Sequence, residues 1–250
     1  MKLSFVIPAH NEEARLPRCL DSIVQELKGR AYDTEIIVVN NASTDHTEEV
    51  AKKYQGVIVI NEPKKGLVRA RQAGYLKATG DIVANVDADT MLTPGWIGKV
   101  FKEFEKNPKL VCLSGPYIYY DLSWFARALT MIFYGIGFFF YLINRFIFHV
   151  GSMVQGGNFI CRTDALRKIG GFDTSIDFYG EDTDIARRMS KVGAVKWTFH
   201  LTMYTSGRRL AEEGILKTGI RYALNFFWTT FMKRPFTKTS TDVRIVEKQK

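Results

Sequence analysis

The sequence is short of the residues from which several kinds of scaffold and site are made. Of its 250 residues only three are cysteine, Cys19, Cys112 and Cys161, an odd number set far apart. That spacing argues against a disulfide framework and against a zinc site, and it points to a reducing compartment. There is no internal repeat, no linker rich in Gly, Ser or Pro, and no low-complexity tract. No G-x-G-x-x-G fingerprint and no Walker lysine motif occurs, so a phosphate held by a glycine-rich loop is not expected. Residues 1–8, MKLSFVIP, carry one lysine but no long apolar core and no small-residue cleavage site. They read as a first strand, not as a secretory signal.

What is present is a chain of ordinary globular composition, 46% apolar, which excludes disorder as a description of the whole. Its length suits one large domain, or a catalytic domain with a small appendage. Lys plus Arg outnumber Asp plus Glu by 35 to 26, and the resulting +9 calls for an anionic partner: nucleic acid, nucleotide phosphate or a membrane surface. Aromatics, 13% of the chain, crowd into Trp124 to Val150 and Tyr222 to Phe236. The first of these holds 17 consecutive uncharged residues, Ala128 to Asn144, at the lower edge of what spans a bilayer.

The first half alternates short apolar runs with helical periodicity. LSFVIP, EIIVV (35–39), GVIVI (56–60), DIVANVD (81–87) and LVCLSGP (110–116) read as strands. Between them, helices are expected over Asn11 to Lys28, 44–54 (opened by Thr44 or Asp45), Gly66 to Thr79, and Pro94 to about Asn107. Further on, MVQGGNFICR (153–162) and VKWTFH (195–200) read as strands, and GEDTDIARRMSKVG (180–193) as a helix. The pattern predicts an α/β fold, a Rossmann-like, mostly parallel sheet flanked by helices. Ligands in such sheets sit beyond the carboxyl ends of the strands. Polar clusters fall at three of those ends: Pro8-Ala9-His10-Asn11-Glu12, Asn40-Asn41-Ala42-Ser43, and Asp87-Ala88-Asp89.

Two carboxylates one residue apart at a strand end, Asp87 and Asp89, can hold a hard divalent cation with positions left for phosphate oxygens. The plainer reading is a solvated turn that caps the Pro94 helix. Glu181 and Asp182, with Asp184, stand in the first turn of a helix, where acids favour the dipole. Their aromatic and glycine setting, FYGED, suits a general base for an acceptor hydroxyl. His200, at the end of its strand, is either a structural histidine or a ligand, while loop and helix-start positions explain His10 and His46. Lys64, Lys65, Arg69 and Arg71 are placed to neutralise a diphosphate or to sit as a charged helix surface, and Arg208 and Arg209 have the same two readings.

These pieces stand in the order of a known family. FVIPAHNEE, IIVVNNASTD, KKGLVRARQAG, GDIVANVDADT, GGNFICR, GGFD and GEDTDIARR run from about residue 3 to 188, and the chain resembles the nucleotide-sugar-dependent glycosyltransferases of family 2, with the A-type fold. The resemblance implies an inverting sugar transfer from a UDP- or GDP-sugar. It implies Mg²⁺ or Mn²⁺ held by Asp87 and Asp89 on the donor diphosphate, with His200 as a possible further ligand, and Asp182 of the Glu181-Asp182 pair as catalytic base. Pro8, Ala9, Asn11, Glu12, Asn40, Lys65, Arg71, Asp87 and Ala88 would bind the donor nucleotide. Gly156, Gly157, Asn158, Tyr179 and Arg208 would meet the acceptor. Many members have Asp where this chain has Asn40. An asparagine donates as well as accepts, which puts the choice of nucleobase in question.

If Asp87, Asp89 and Asp182 share one site, residues 124–150 cannot cross a membrane once, and 27 residues are too few for two full spans. The segment is therefore expected to lie on or dip into a membrane, or to pack as a buried helix or partner surface. Arg127 and Arg145 bracket it, and Trp124, Tyr134 and Tyr141 are interface-seeking residues. The division expected is a catalytic domain over 1–206, carrying 124–150 as an insertion, and a basic, aromatic, amphipathic tail over 207–250. In that tail Phe226, Phe227, Trp228 and Phe231 lie beside Arg221, Lys233, Arg234 and Lys238. Such a tail suits an anionic leaflet, hence a lipid-linked or cell-envelope glycan acceptor and a position on the cytoplasmic face of the cell membrane. The alternatives are transfer to a polyprenyl phosphate and a non-catalytic binding relative. A nucleic-acid partner is not expected, because the basic and aromatic excess lies apart from the strand-end acids.

Overall fold

The computed structural model describes residues 1–148, 153–234 and 236–237. Among them the strands are β1 (Leu3–Ala9), β2 (Thr34–Asn41), β3 (Val57–Glu62), β4 (Ile82–Val86), β5 (Thr90–Leu92), β6 (Leu110–Ser114), β7 (Tyr117–Tyr119), β8 (Asn158–Arg162), β9 (Ala194–Trp197) and β10 (Met203–Thr205). The helices are α1 (Leu16–Leu27), α2 (Thr47–Lys52), α3 (Leu67–Lys77), α4 (Trp96–Lys106), α5 (Trp124–Ile143), α6 (Thr163–Lys168), α7 (Glu181–Met189), α8 (Arg208–Glu213) and α9 (Ile215–Met232). A π-helical turn, Asn144–Phe148, continues α5.

Seven strands form the central sheet in the order β3-β2-β1-β4-β8-β6-β9. All neighbours pair in parallel except β8, which runs antiparallel to both β4 and β6. The sheet is mostly parallel and helix-flanked, as its sequence pattern predicts. The reason is visible in β1, where all seven residues are buried: a strand covered on both faces has no use for a polar alternation. One face packs Leu3, Phe5, Ile7 and Ala84 against α1 and α4; the other packs Val6, Ile37, Val39 and Val83 against α3, α6 and α7. Gly74 of α3 lies so close to the sheet that a Cβ there would meet Val6 Cγ1 at 2.3 Å.

Several boundaries differ from the sequence pattern for local reasons. The first helix starts at Leu16, not Asn11, because Asn11 adopts φ 52° and ties its side chain to Thr44. The second begins at Thr47, whose N–H is capped by Asp45 Oδ1 at 3.0 Å. The segment 153–162 is strand only from Asn158, since Gly157 turns with φ +76°. Strand β9 stops at Trp197, so His200 lies beyond it on an exposed turn.

A second sheet, β5-β10-β7, decides what faces the end of β4. Thr205 pairs with Thr90 on one side and Tyr119 on the other. Asp121 then accepts from Ser206 Oγ at 2.6 Å and Gly207 N at 2.5 Å. These bonds bring the start of α8 over Asp89. Helix α5 is fixed to the body along its length: Ser123 caps it, Tyr134 Oη accepts from Tyr117 N at 3.2 Å, and Arg145 Nη1 donates to Val195 O at 2.6 Å. His149, Val150, Pro235 and residues 238–250, which belong to the two aromatic-rich segments and the basic tail, lie outside the described residues.

Candidate active site

The carboxyl ends of β1 and β4 and the amino end of α7 open into one cavity of about 450 Å³. Asp87, Ala88 and Asp89 follow β4, Pro8 and Glu12 come from β1 and its loop, and Glu181 and Asp182 begin α7. Residues on either side of the long apolar segment therefore share a single chamber, and α5 does not separate them.

Arg71 joins the two acidic groups. It is 1% exposed and stacks over the Phe159 ring with its carbon 5.3 Å from the centroid. Its Nη2 donates to Asp87 Oδ1 at 2.9 Å, and its Nη1 donates to Glu181 Oε1. The Tyr117 hydroxyl completes the other side of Asp87, donating to Oδ2 at 3.3 Å. Gly157 is required here: a Cβ would lie 2.1 Å from Asp87 Oδ2, inside contact distance. Burial pushes the Glu181 carboxyl up to about 7, a rise that Arg71 opposes. Burial also raises Asp182, against the hydrogen bond its Oδ1 accepts from Thr183 N at 2.7 Å.

Asp89 is held by a second arginine. Arg208 Nη2 lies 2.9 Å from Asp89 Oδ2 and 2.5 Å from Glu12 Oε1. Burial lifts the Asp89 carboxyl to about 7 despite Arg208, with Glu12 and Asp87 adding repulsion. Crowded, buried carboxylate oxygens of this kind suit a hard divalent cation. Among the described residues no group of three or more His, Cys, Asp or Glu side chains is arranged to hold a metal. A cation held by Asp87 and Asp89 would need the rest of its coordination from oxygens of a ligand.

The other residues singled out by sequence are distributed as follows. Gly156, Tyr179 and Arg208 line the cavity with Pro8, Glu12, Arg71, Asp87, Ala88, Asp89, Glu181 and Asp182. Ala9, Asn11, Asn40, Lys65, Gly157, Asn158 and His200 are not brought to its wall. Asn158 is fully buried and spends its side-chain amide on Gly115 O at 2.9 Å and Leu201 O at 2.8 Å. Asn40 donates to Asn61 Oδ1 at 2.8 Å and Glu48 Oε2 at 3.2 Å, while its own Oδ1 has no partner among the described residues. Both donors of this asparagine are spent within the protein.

Sequence reasoning passed over Tyr117 and most of the α5 residues of the wall, saw Tyr222 only as part of an aromatic cluster and Arg209 only as a diphosphate-neutralising or surface cation, and gave His10 no part. His10 lines the cavity and has its Nδ1 2.7 Å from Asn41 O. No spacing rule points to these residues. Tyr117 reaches Asp87 because β7 pairs with β10, a contact made 86 residues later in the chain (203 − 117).

The family model for glycosyl transferase family 2 matches residues 4–170. Among curated proteins, the dolichyl-phosphate beta-glucosyltransferase ALG5D of Trichomonas vaginalis is 37% identical over 126 residues, 45% of this chain and 38% of that protein. The chondroitin synthase of Pasteurella multocida is 32% identical over 115 residues, 44% of this chain and 12% of that one. The matched regions thus span well under half the length of these relatives. Among solved structures, the mannosyltransferase PcManGT from Pyrobaculum calidifontis, in complex with GDP-Man and Mn²⁺, superposes with a TM-score of 0.70 at 18% identity, covering 92% of this chain and 63% of that one. Residues 1–349 of S. aureus TarS give 0.64 at 16% identity, covering 93% and 73%. These similarities in structure concern the fold.

Proposed function

Since the chain belongs to glycosyl transferase family 2 and is a transferase enzyme, we propose that it moves a sugar, with inversion, from a nucleotide-sugar donor to a lipid-linked acceptor at the cytoplasmic face of a membrane. The observation that carries this reading is the convergence of Asp87, Asp89 and Asp182 on one cavity, with Arg71 spanning from Asp87 to the neighbour of Asp182. Asp87 and Asp89 are the residues that would hold Mg²⁺ or Mn²⁺, and a bound cation would offset the charge that develops on the departing nucleoside diphosphate. PcManGT, with GDP-Man and Mn²⁺, is a neighbour in fold that supports a donor and metal of this kind.

Asp182 is the base. It takes the proton of the acceptor hydroxyl, whose oxygen forms the new bond at the anomeric carbon as the bond to the diphosphate oxygen breaks. The raised affinity of Asp182 for a proton suits that task. Arg71 holds Asp87 and Glu181 in place, while Pro8, Glu12 and Ala88 complete the donor wall.

The membrane part of the proposal rests on the outer face of α5. Trp124, Phe125, Ile132, Ile136, Phe139 and Phe146 are exposed at helical spacing, Trp124 by 80%. The stretch Trp124–Ile147 is long and apolar enough to cross a bilayer, but it is tied to the catalytic body and lies along it. An apolar face on a fixed helix is the pattern of an interfacial element.

The test is direct. Asp89→Ala is expected to abolish transfer, by about a thousandfold or more, and Asp182→Asn likewise for a hydroxyl acceptor, both with unchanged circular dichroism. Substantial transfer by purified Asp89→Ala would sink the assignment. A second reading, transfer to a lipid phosphate itself, is favoured by the relatives named dolichyl-phosphate glucosyltransferases. A phosphate needs no strong base, so that reading expects Asp182→Asn to keep considerable activity.

A further inference from the structure

The cavity does not stop at its polar end. The same chamber is walled by Phe133, Gly137 and Phe140 of α5 and by Gly219, Ala223 and Phe227 of α9. Two glycines leave room for neighbouring side chains in these walls. A Cβ at Gly137 would lie 3.3 Å from Met153 Sδ, itself a wall atom, and one at Gly219 would lie 3.2 Å from the Phe133 ring.

The rim of this half of the chamber is the apolar surface itself. Ile136 lines the cavity and also stands in the exposed stripe of α5, 49% accessible; Phe227 does the same on α9 at 37%. Around them Ile132, Phe139, Ile220 and Leu224 are exposed. A water-soluble acceptor gains nothing from such a mouth. A hydrocarbon chain gains about 0.8 kcal/mol for each methylene it buries.

Arg209 of α8 is one of three arginines on the cavity wall among the described residues. Arg71 and Arg208 are directed at the carboxylates described above. Arg209 is on the α9 side, its guanidinium stacked 4.8 Å over Phe178 and its Nη1 2.9 Å from Glu213 Oε1. Next in the chain to Arg208 of the polar half, and sharing Glu213 with Arg221 of α9, it links the polar chamber to the α9 wall.

We propose that the groove between α5 and α9 holds the hydrocarbon chain of a phosphate-headed lipid acceptor, entering sideways from the bilayer, with its phosphate against Arg209. This rests on the second reading above, transfer to a lipid phosphate itself, and adds where that lipid lies and which residues hold it.

The experiment is calorimetric titration of the full chain with inorganic phosphate, isopentenyl phosphate and farnesyl phosphate. Affinity is expected to rise by about a hundredfold or more from the isopentenyl to the farnesyl ligand. Gly137→Leu is expected to remove most of that rise, and equal affinities along the series in the wild-type chain would overturn the groove. Arg209→Gln is expected to weaken farnesyl phosphate about tenfold and leave farnesol unchanged; equal loss for both would overturn the placement of the phosphate.

Should Gly137→Leu fail to fold, Ala223→Cys supplies a second measurement. Cys19, Cys112 and Cys161 are buried, so a maleimide reads position 223. Farnesyl phosphate is expected to slow that labelling at least about fivefold and inorganic phosphate not at all; no protection by farnesyl phosphate overturns the groove. Failure of the proposed function is separable. If the chain-length dependence holds but no sugar reaches any lipid acceptor, the transfer reading falls and the lipid site stands.

Discussion

On the sheet side of the cavity, charged groups are held by one another: Arg71 grips Asp87 and Glu181, Arg208 grips Asp89 and Glu12, and Tyr117 closes on Asp87. On the helix side, α5 and α9 present rings and aliphatic side chains, many of them exposed, with few polar anchors. The first arrangement is preorganised. It suits a ligand whose charges occupy fixed positions, and it costs little reorganisation when that ligand arrives. The second suits a ligand recognised by burial alone, which has no preferred register. The contrast gives one cavity two walls of opposite chemical character.

Breaking the polar half is expected to cost most. Arg71→Met leaves buried Glu181 and part-exposed Asp87 without their shared cation, so stability should fall by about 3 kcal/mol in chemical denaturation. Transfer should fall by about a thousandfold. If both quantities changed little, the polar half would not be the rigid element described. The apolar half should respond in the opposite way. Ile132→Gln with Phe139→Gln is expected to cut co-sedimentation with anionic vesicles about tenfold, while unfolding moves by under about 1 kcal/mol, because both side chains are exposed.

A subtler test uses protons. Glu181 is pushed up to about 7 in the folded chain, from an ordinary value of 4.5. The folded state therefore binds more protons than the unfolded one between those values. Stability contributed by this group is present below pH 4.5 and is lost as pH rises through 7. Glu35, held down to about 2 chiefly by Ser4 and Thr79 against the cost of burial, acts in the opposite sense, and its contribution is lost only as pH falls from 4.5 towards 2. Melting temperatures of wild type and Glu181→Gln at pH 5 and pH 8 should converge at the lower pH and differ at the higher, the variant being less pH-dependent. The smallest effect is expected at Asn40→Asp. The new carboxylate would face Glu48 and lose the bond to Asn61, at about 1 kcal/mol in unfolding, with nucleotide affinity changed only a few-fold by calorimetry.

Much of the polar half was legible in the sequence, because its residues are fixed by their position at strand ends. A short apolar run such as LSFVIP, closed by a proline, reads as a buried strand, and whatever follows it emerges at the sheet's edge. The rest depends on pairings that no local pattern contains. Residues 153–157 continue the apolar look of β8, yet Gly157 must turn to clear Asp87. Phe199 packs edge-on against Trp197 at 4.6 Å, in the turn that takes His200 away from the end of β9. The arginine on Asp89 was in view as a cation, but its destination was set by the register of Thr205 on Thr90. Tyr117 had no motif to mark it.

The antiparallel strand β8 has a consequence for the order in which the protein is made. It sits between β4 and β6 in the sheet, yet it begins at Asn158, long after β6 ends at Ser114. Strands β1 to β4 can assemble as they leave the ribosome, each beside an earlier one, while β6 has no neighbour until β8 arrives. Helix α5 is synthesised within that interval, with its apolar stripe complete and the sheet still open. The nascent chain thus offers its greasy helix to whatever surrounds the ribosome before it can finish the site that the helix serves.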